Sequence, residues 1–179
     1  MQICVFLGSQ SGQSERYQED AQKMGRYLAS RNIGLVYGGA SIGLMGTLAR
    51  SAMEAGGKVT GVIPRQLLQV EVPEDSISEL IYVDTLAERE HIMFERSDAF
   101  IALPGGFGTL EELFTVLVWN MLKYHDKPVG MLNTSGYYEV LKQLLAHQQQ
   151  QGFVSQQWVD SIIIEDEVES LVDTLVAMC

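Results

Sequence analysis

The sequence predicts an α/β protein: a Rossmann-like, doubly wound parallel sheet of about seven strands with helices on both faces. Short apolar runs alternate with helical patterns along the whole chain. The runs are apolar at successive rather than alternate positions, which marks strands buried on both faces. Three of them end in glycine-rich turns that lead into helices, the place where open parallel sheets bind ligands.

The elements follow in order. Ile3–Leu7 is the first apolar run, and Tyr17–Arg31 the first helical pattern. Gly34–Tyr37 is a second strand, followed by a helix at Leu44–Ala55. Val59–Ile63 and Leu80–Val83 read as strands around an irregular stretch, Gln66–Ser78, that carries two Glu, an Asp and a Pro and reads as a mobile, lid-like loop. A charged helix at Leu86–Ser97 leads to the strand Ala99–Leu103 and a strongly apolar helix at Leu110–Tyr124. Pro128–Leu132, a helix at Tyr137–Gln149, Ile162–Ile164 and a helix at Glu167–Ala177 complete the alternation. Crossovers of one hand are expected throughout.

At 179 residues the chain reads as one nucleotide-binding domain, 1–179, with room for a full core. The net charge of −11 argues against nucleic acid or an anionic membrane surface as partner. It leaves a small phosphate ester open, because helix N-termini bind anions without lysine. Cys4 lies in a core strand and Cys179 ends the sequence, which is no disulfide framework and fits a reducing cytoplasm. No run reaches membrane length, and the opening run lacks a basic leader.

The three turns are Gly8–Gly12, Gly38–Gly46 and Gly105–Thr109. If their strand ends share one edge of the sheet, they converge on a nucleotide-sized pocket, with Ser9, Gly39, Gly43 and Gly105 among its lining. The third turn, within Pro104-Gly105-Gly106-Phe107-Gly108-Thr109-Leu110-Glu111-Glu112, is the most informative. Backbone N–H groups of such a turn approach an anion closely, and the helix dipole adds roughly half a positive charge. Glu112 would then lie in the first helical turn, within reach of a sugar. Thr109-x-x-Glu112 also reads as a capping box, which needs no ligand. Three glycines in four residues go beyond what a cap requires. The loop is neither a dinucleotide fingerprint, since Glu111 stands where a third glycine belongs, nor a Walker A loop.

Outside this loop, Arg89 starts a helix after a strand and so also lies at a carboxyl edge, where it could meet an anion or Glu112. Glu88, Glu95 and Arg96 read as a solvated face. His91 gives no convincing metal site, and His125-Asp126 reads as a turn.

These residues resemble those of the Lonely-guy (LOG) phosphoribohydrolases, a family long labelled as a lysine decarboxylase. Pro104–Glu112 matches its PGGxGTxxE motif. Val5–Ser9, Leu35–Gly39, Gly43–Gly46, Gly61–Pro64 and Lys127–Gly130 match further segments, so the resemblance covers nearly the whole chain. It implies a Rossmann-like, usually dimeric enzyme that needs no cofactor and no metal, and that cleaves the N-glycosidic bond of adenosine-type 5′-monophosphates. It implies Arg89 and Glu112 as the catalytic pair, and Glu71, Gly106, Phe107, Gly108, Thr109 and Glu111 as nucleotide contacts beside Glu112. Two positions depart from the family pattern: Glu90 stands where a lysine follows the arginine, and Val118 where a threonine is common. Dimerisation is also suggested by the helix Phe114–Leu122, apolar around more than one face.

Cleavage of a ribosyl C–N bond passes through an oxocarbenium-like state. Glu112, expected to stay ionised near a helix N-terminus and an arginine, suits the stabiliser of that charge. The group that protonates the departing base is not evident in the sequence. A nucleotide- or cofactor-binding carrier without turnover is the alternative, and a non-binding scaffold a third.

Overall fold

The computed structural model describes residues 1–69 and 72–179. The chain runs β1 (Gln2–Phe6), α1 (Glu15–Ser30), β2 (Gly34–Tyr37), α2 (Gly43–Glu54), β3 (Val59–Pro64), β4 (Glu79–Val83), α3 (Leu86–Glu95) and β5 (Ala99–Ala102). It continues with α4 (Phe107–Met121), β6 (Val129–Leu132), α5 (Glu139–Gln150), a short α6 (Gln156–Asp160), β7 (Ile162–Glu165) and α7 (Val168–Met178). Short 3₁₀ turns at Arg65–Gln69 and Thr134–Gly136 fall where no element was expected.

The seven strands form one sheet in the order β4-β3-β2-β1-β5-β6-β7. Every pairing is parallel, so the expected doubly wound fold is present. β1 lies between β2 and β5, with Ile3 opposite both Leu35 and Ala99. Ile3, Cys4 and Val5 are wholly buried, because helices cover both faces of this central strand. Met24 and Leu28 of α1, Leu48 of α2 and Leu171 of α7 pack on one face. Met93 of α3, Leu113 and Val116 of α4 and Leu145 of α5 pack on the other. Helices that carry the chain from β1 towards β3 lie on the first face, and those that carry it from β4 towards β7 on the second. A single hand of crossover demands that distribution.

The order places a switch point between β1 and β5. The loops after these two strands leave in opposite directions and open a crevice at the carboxyl edge. The backbone ties the neighbouring turns together there. Gly8 N donates to Pro104 O at 3.2 Å, and Leu44 N donates to Gly8 O at 3.2 Å. All three glycine-rich turns therefore meet at one edge.

Part of the stretch between β3 and β4 departs from the lid-like expectation. Ser41 donates to Val72 O through both its backbone N–H (2.7 Å) and its hydroxyl (2.9 Å), and Glu74 N donates to Gly39 O at 3.0 Å. Arg50 pairs with Glu74 at 3.0 Å, and Ser76 bonds the same carboxylate at 2.6 Å. Residues 72–76 are thus fastened to the β2–α2 turn.

Candidate active site

α4 begins at Phe107 with Gly106 as its N-cap, three residues earlier than the apolar pattern suggested. Thr109 is therefore inside the first turn, and no capping box forms there. The first intrahelical bond runs from Leu110 N to Gly106 O, which leaves the N–H groups of Phe107, Gly108 and Thr109 without intrahelical acceptors. They point out of the positive end of the helix dipole. Thr109 is buried against Gly105, where an added Cβ would overlap its hydroxyl. Gly106 and Gly108 differ: a Cβ on either would meet nothing within 4 Å. Packing inside the chain does not require glycine at these two positions, and Gly108 costs the helix about 1 kcal/mol relative to alanine. Their effect is a bare backbone beside the helix start, with Phe107 projecting between them at 94% exposure.

Glu112, on the second turn rather than the first, is buried at the inner side of α4. Its Oε1 accepts from Arg89 Nη2 at 2.6 Å, with both side chains nearly out of solvent. Arg89 comes from the first turn of α3. That helix has the cap anticipated for α4: Thr85 Oγ1 accepts from Glu88 N at 3.1 Å, and Glu88 reaches back to Asp84 N at 2.8 Å. With Glu88 spent on the cap, its neighbour Arg89 turns inward across the carboxyl edge. Its guanidinium lies on Gly38 at the end of β2, where a Cβ would collide with it. Arg89 Nε is buried with no hydrogen-bond partner among the described residues, so the guanidinium keeps a donor in reserve.

A small cavity of about 10 Å³, room for about one water, opens beside the pair, between α3 and α4. Phe6, Phe94, Phe100 and Trp119 give it aromatic walls, and Glu90, Glu112 and Thr115 its polar groups. Burial, the neighbouring Glu111 carboxyl and the charge of Glu112 push the Glu90 carboxyl up to about 7, against the pull of Arg89.

The other expected residues fall into place unevenly. Ser9, Gly39, Gly43 and Gly105 lie in the converging turns. Gly39 (φ +81°) and Gly43 (φ +55°) already have a reason internal to the chain, since both adopt the left-handed region. Glu111 is exposed at the start of α4. Glu71 lies outside the described residues. Two supporting tyrosines carry no signal in the sequence: Tyr138 donates to Leu103 O at 2.7 Å, and Tyr137 to Gly105 O. His125 is more than a turn residue. Its Nε2 meets Val116 O at 2.9 Å, and its Nδ1 accepts from Lys127 N at 3.0 Å.

Residues 45–175 match a family described as "Possible lysine decarboxylase". The cytokinin riboside 5′-monophosphate phosphoribohydrolase LOG3 of Arabidopsis thaliana is 44% identical over 173 residues, 97% of this chain and 80% of that protein. The chain belongs to the LOG family. The LOG1 enzyme of the same plant is 47% identical over 86% of this chain and 72% of its own length. Among solved structures, the molybdenum cofactor carrier protein of Chlamydomonas reinhardtii superposes with a TM-score of 0.75 over 98% of both chains, at 22% identity. A molybdenum cofactor binding protein of Rippkaea orientalis gives 0.74 at 21% identity, over 99% of this chain and 96% of that one. At those identities the likeness shows a shared fold.

The decarboxylase description has no chemical support at this LOG-family site. A pyridoxal enzyme needs a lysine to form its Schiff base. Lys23 pairs with Glu167 and Glu169, and Lys142 with Glu139. Lys127 donates to Phe94 O at 2.7 Å with its ammonium 3.9 Å from the Phe94 ring centre. Lys58 precedes β3 and Lys123 follows α4, both at the opposite edge of the sheet.

Proposed function

We propose that this protein hydrolyses the N-glycosidic bond of adenosine-type, cytokinin riboside 5′-monophosphates, releasing free base and ribose 5-phosphate. The observation that carries the reading is the buried Arg89–Glu112 pair behind a helix N-terminus whose glycines leave the backbone bare. The 5′-phosphate takes the N–H groups of Phe107, Gly108 and Thr109, with Gly105 and Gly106 giving close approach. Binding energy from that anchor orients the ribose. Glu112, held by Arg89, faces the anomeric carbon as a carboxylate and stabilises the positive charge that develops as the C–N bond breaks. Water adds to that carbon, its proton leaves, and the base departs with a proton. Ser9, Gly39, Gly43, Glu71 and Glu111 complete the proposed nucleotide contacts. The chemistry requires no cofactor or metal, and a cytoplasmic setting suits the reduced, buried Cys4 thiol.

The carrier alternative shares the fold of the molybdenum cofactor proteins, but the relatives that are 44–47% identical are named as hydrolases, and this favours turnover. Incubation with AMP, isopentenyladenosine monophosphate and adenosine, with free base and ribose 5-phosphate measured, tests the reading. Cleavage of the monophosphates but little of adenosine is expected. Binding of AMP without release of adenine would assign the carrier role, and equal cleavage of adenosine would remove the phosphate from the loop.

The working form in this proposal is a homodimer. A groove of about 260 Å³ runs between α4, α5 and α6, lined by Phe114, Leu117, Val118, Met121 and Trp158. Leu122, Val140 and Phe153 add exposed apolar surface nearby, more than a surface helix leaves uncovered. Because α4 also carries Glu112, dilution to monomer should reduce activity together with stability. Light scattering that shows a fully active monomer would rule this out.

A further inference from the structure

We propose that Arg50 and Glu74 are positioning residues of this site: their ion pair clamps the glycine-rich β2–α2 turn from outside and fixes the backbone that meets the nucleotide. The inference rests on the proposed hydrolysis for its ligand, and on hydrogen-bond geometry for the clamp.

The turn, residues 38–46, has little of its own to order it. Gly38, Gly39, Gly43 and Gly46 fall in it, and glycine loses more backbone freedom on folding than any other residue. The helix that follows starts without a side-chain cap, because Ile42 occupies the N-cap of α2. Order has to come from contacts outside the turn, and they come from two directions. From the segment before β4, Glu74 N donates to Gly39 O at 3.0 Å, Val72 O accepts twice from Ser41, and Pro73 bridges to Ala40. From α2, Arg50 Nη1 donates to Ser41 O at 3.1 Å and to Glu74 Oε2 at 3.0 Å. That nitrogen carries two hydrogens, so both bonds form together. Ser76 takes the other Glu74 oxygen at 2.6 Å. The Glu74 carboxylate is buried, whereas Arg50 is half exposed. A buried carboxylate is costly to leave without its cation, so the pair resists being opened from one side. One guanidinium thus joins the turn, the helix after it and the segment laid across it.

The clamped turn borders the proposed site on several sides. Gly43 packs so closely on the Ser9 backbone that a Cβ would overlap it, and Leu44 N holds Gly8 O at 3.2 Å. Gly8 N in turn holds Pro104 O, where the third glycine-rich turn begins. At the near end, Gly38 carries the Arg89 guanidinium. A shift at Gly39–Ala40–Ser41 therefore reaches Ser9 and Gly43, two of the proposed nucleotide contacts, directly. It reaches Glu112 only through Arg89. Release of the clamp should weaken nucleotide binding more than the chemical step, although neither Arg50 nor Glu74 touches the nucleotide.

The test uses the full chain and four variants: Arg50→Ala, Arg50→Lys, Glu74→Gln, and Arg50→Ala combined with Glu74→Gln. KM and kcat for AMP, the Kd of AMP from titration calorimetry, and the urea midpoint are measured on each. In Arg50→Ala, KM and Kd should rise about tenfold, the size of a coupling between groups in one network. Its kcat should change by less than about threefold, the pattern of lost binding rather than lost transition-state contact. Arg50→Lys keeps the charge and a donor, so it should recover part of the affinity. The double variant should bind AMP no more weakly than Arg50→Ala alone, because the pair is already broken there. A lowered urea midpoint with unchanged KM and Kd would overturn the positioning role and leave a pair that only stabilises. Losses of affinity that multiply in the double variant would overturn the clamp, as would a tenfold fall in kcat at constant KM. If the wild type binds AMP but cleaves no nucleotide, the hydrolytic reading fails while the Kd series still decides the clamp. If it binds no AMP, both fail.

Discussion

Tyr137 donates its hydroxyl hydrogen to the carbonyl oxygen of Gly105, 32 residues earlier in the chain. The tyrosine stands past the end of β6, and its ring is edge-on to Tyr17 and Tyr138 at 5.8 and 5.0 Å. The glycine-rich turn after β5 is thereby braced from the neighbouring strand. Tyr137→Phe removes one hydrogen bond and keeps the ring packing. A stability loss of about 0.5–1.5 kcal/mol is expected. KM for AMP should rise several-fold with a smaller change in kcat, because the loop loses order rather than chemistry. Steady-state kinetics beside a urea titration would check this, and a change confined to stability would leave Tyr137 with a packing role only.

Glu112→Gln separates charge from shape. The amide oxygen still accepts from Arg89, so the fold should persist with a loss of about 1–3 kcal/mol for a nearly buried guanidinium without its counter-charge. Turnover should fall by on the order of a hundredfold or more, since the partner of the developing positive charge is gone. A near-normal rate in a correctly folded variant would remove Glu112 from the chemistry.

Gly106→Ala and Gly38→Ala should behave in opposite ways. At Gly106 a methyl enters open space, and alanine restricts the unfolded chain, so the melting temperature should hold or rise by the equivalent of about 0.4–1 kcal/mol. Affinity for the monophosphate should nevertheless drop about tenfold or more, because the methyl occupies the approach to the backbone. At Gly38 the methyl strikes the Arg89 guanidinium, so kcat should fall with it. Calorimetry and AMP titration on the two variants would distinguish these effects. Unchanged AMP affinity in Gly106→Ala would place the phosphate elsewhere.

His125 predicts an acid-side loss of stability. Its Nδ1 accepts a hydrogen bond, so the ring must be neutral with its proton on Nε2. Burial pushes its pKa below 6.5, helped by the Lys127 charge and opposed by the Val116 carbonyl. A depressed folded-state pKa gives stability that is complete above the unfolded value and lost as pH falls below it. From pH 7.5 to pH 5 the wild type should lose more stability than His125→Asn, measured by urea midpoints. Equal losses would show that the imidazole titrates alike in the folded and unfolded chain.

The seven strands were legible because a doubly covered parallel sheet writes itself as unbroken apolar runs, and β1, β2 and β5 could be read almost to the residue. α6 was not, since five polar-rich residues carry no usable periodicity. The start of α4 was misjudged for a related reason. Gly106 and Gly108 lower helix propensity at the very start of α4, so the composition there hid the boundary. Arg89 and Glu112 were reachable from sequence through their places at carboxyl strand ends and through the motif that contains one of them. Tyr137 was not, because an aromatic residue before a helix looks like ordinary core, and only the fold brings it to Gly105.

The central place of β1 also has a consequence for how the polypeptide reaches this state. Gln2 N is bonded to the carboxylate of Asp98 at 2.7 Å, and Ile3 is paired with Ala99, so β1 waits for β5, synthesised well after it, to cover this edge. Until then one long edge of β1 is an unpaired template, open to any extended segment. Cutting the gene between α3 and β5 would give two pieces that each hold one margin of the same seam and half of the Arg89–Glu112 pair. Such halves are suited to a split reporter, in which catalytic activity returns only when the two pieces meet.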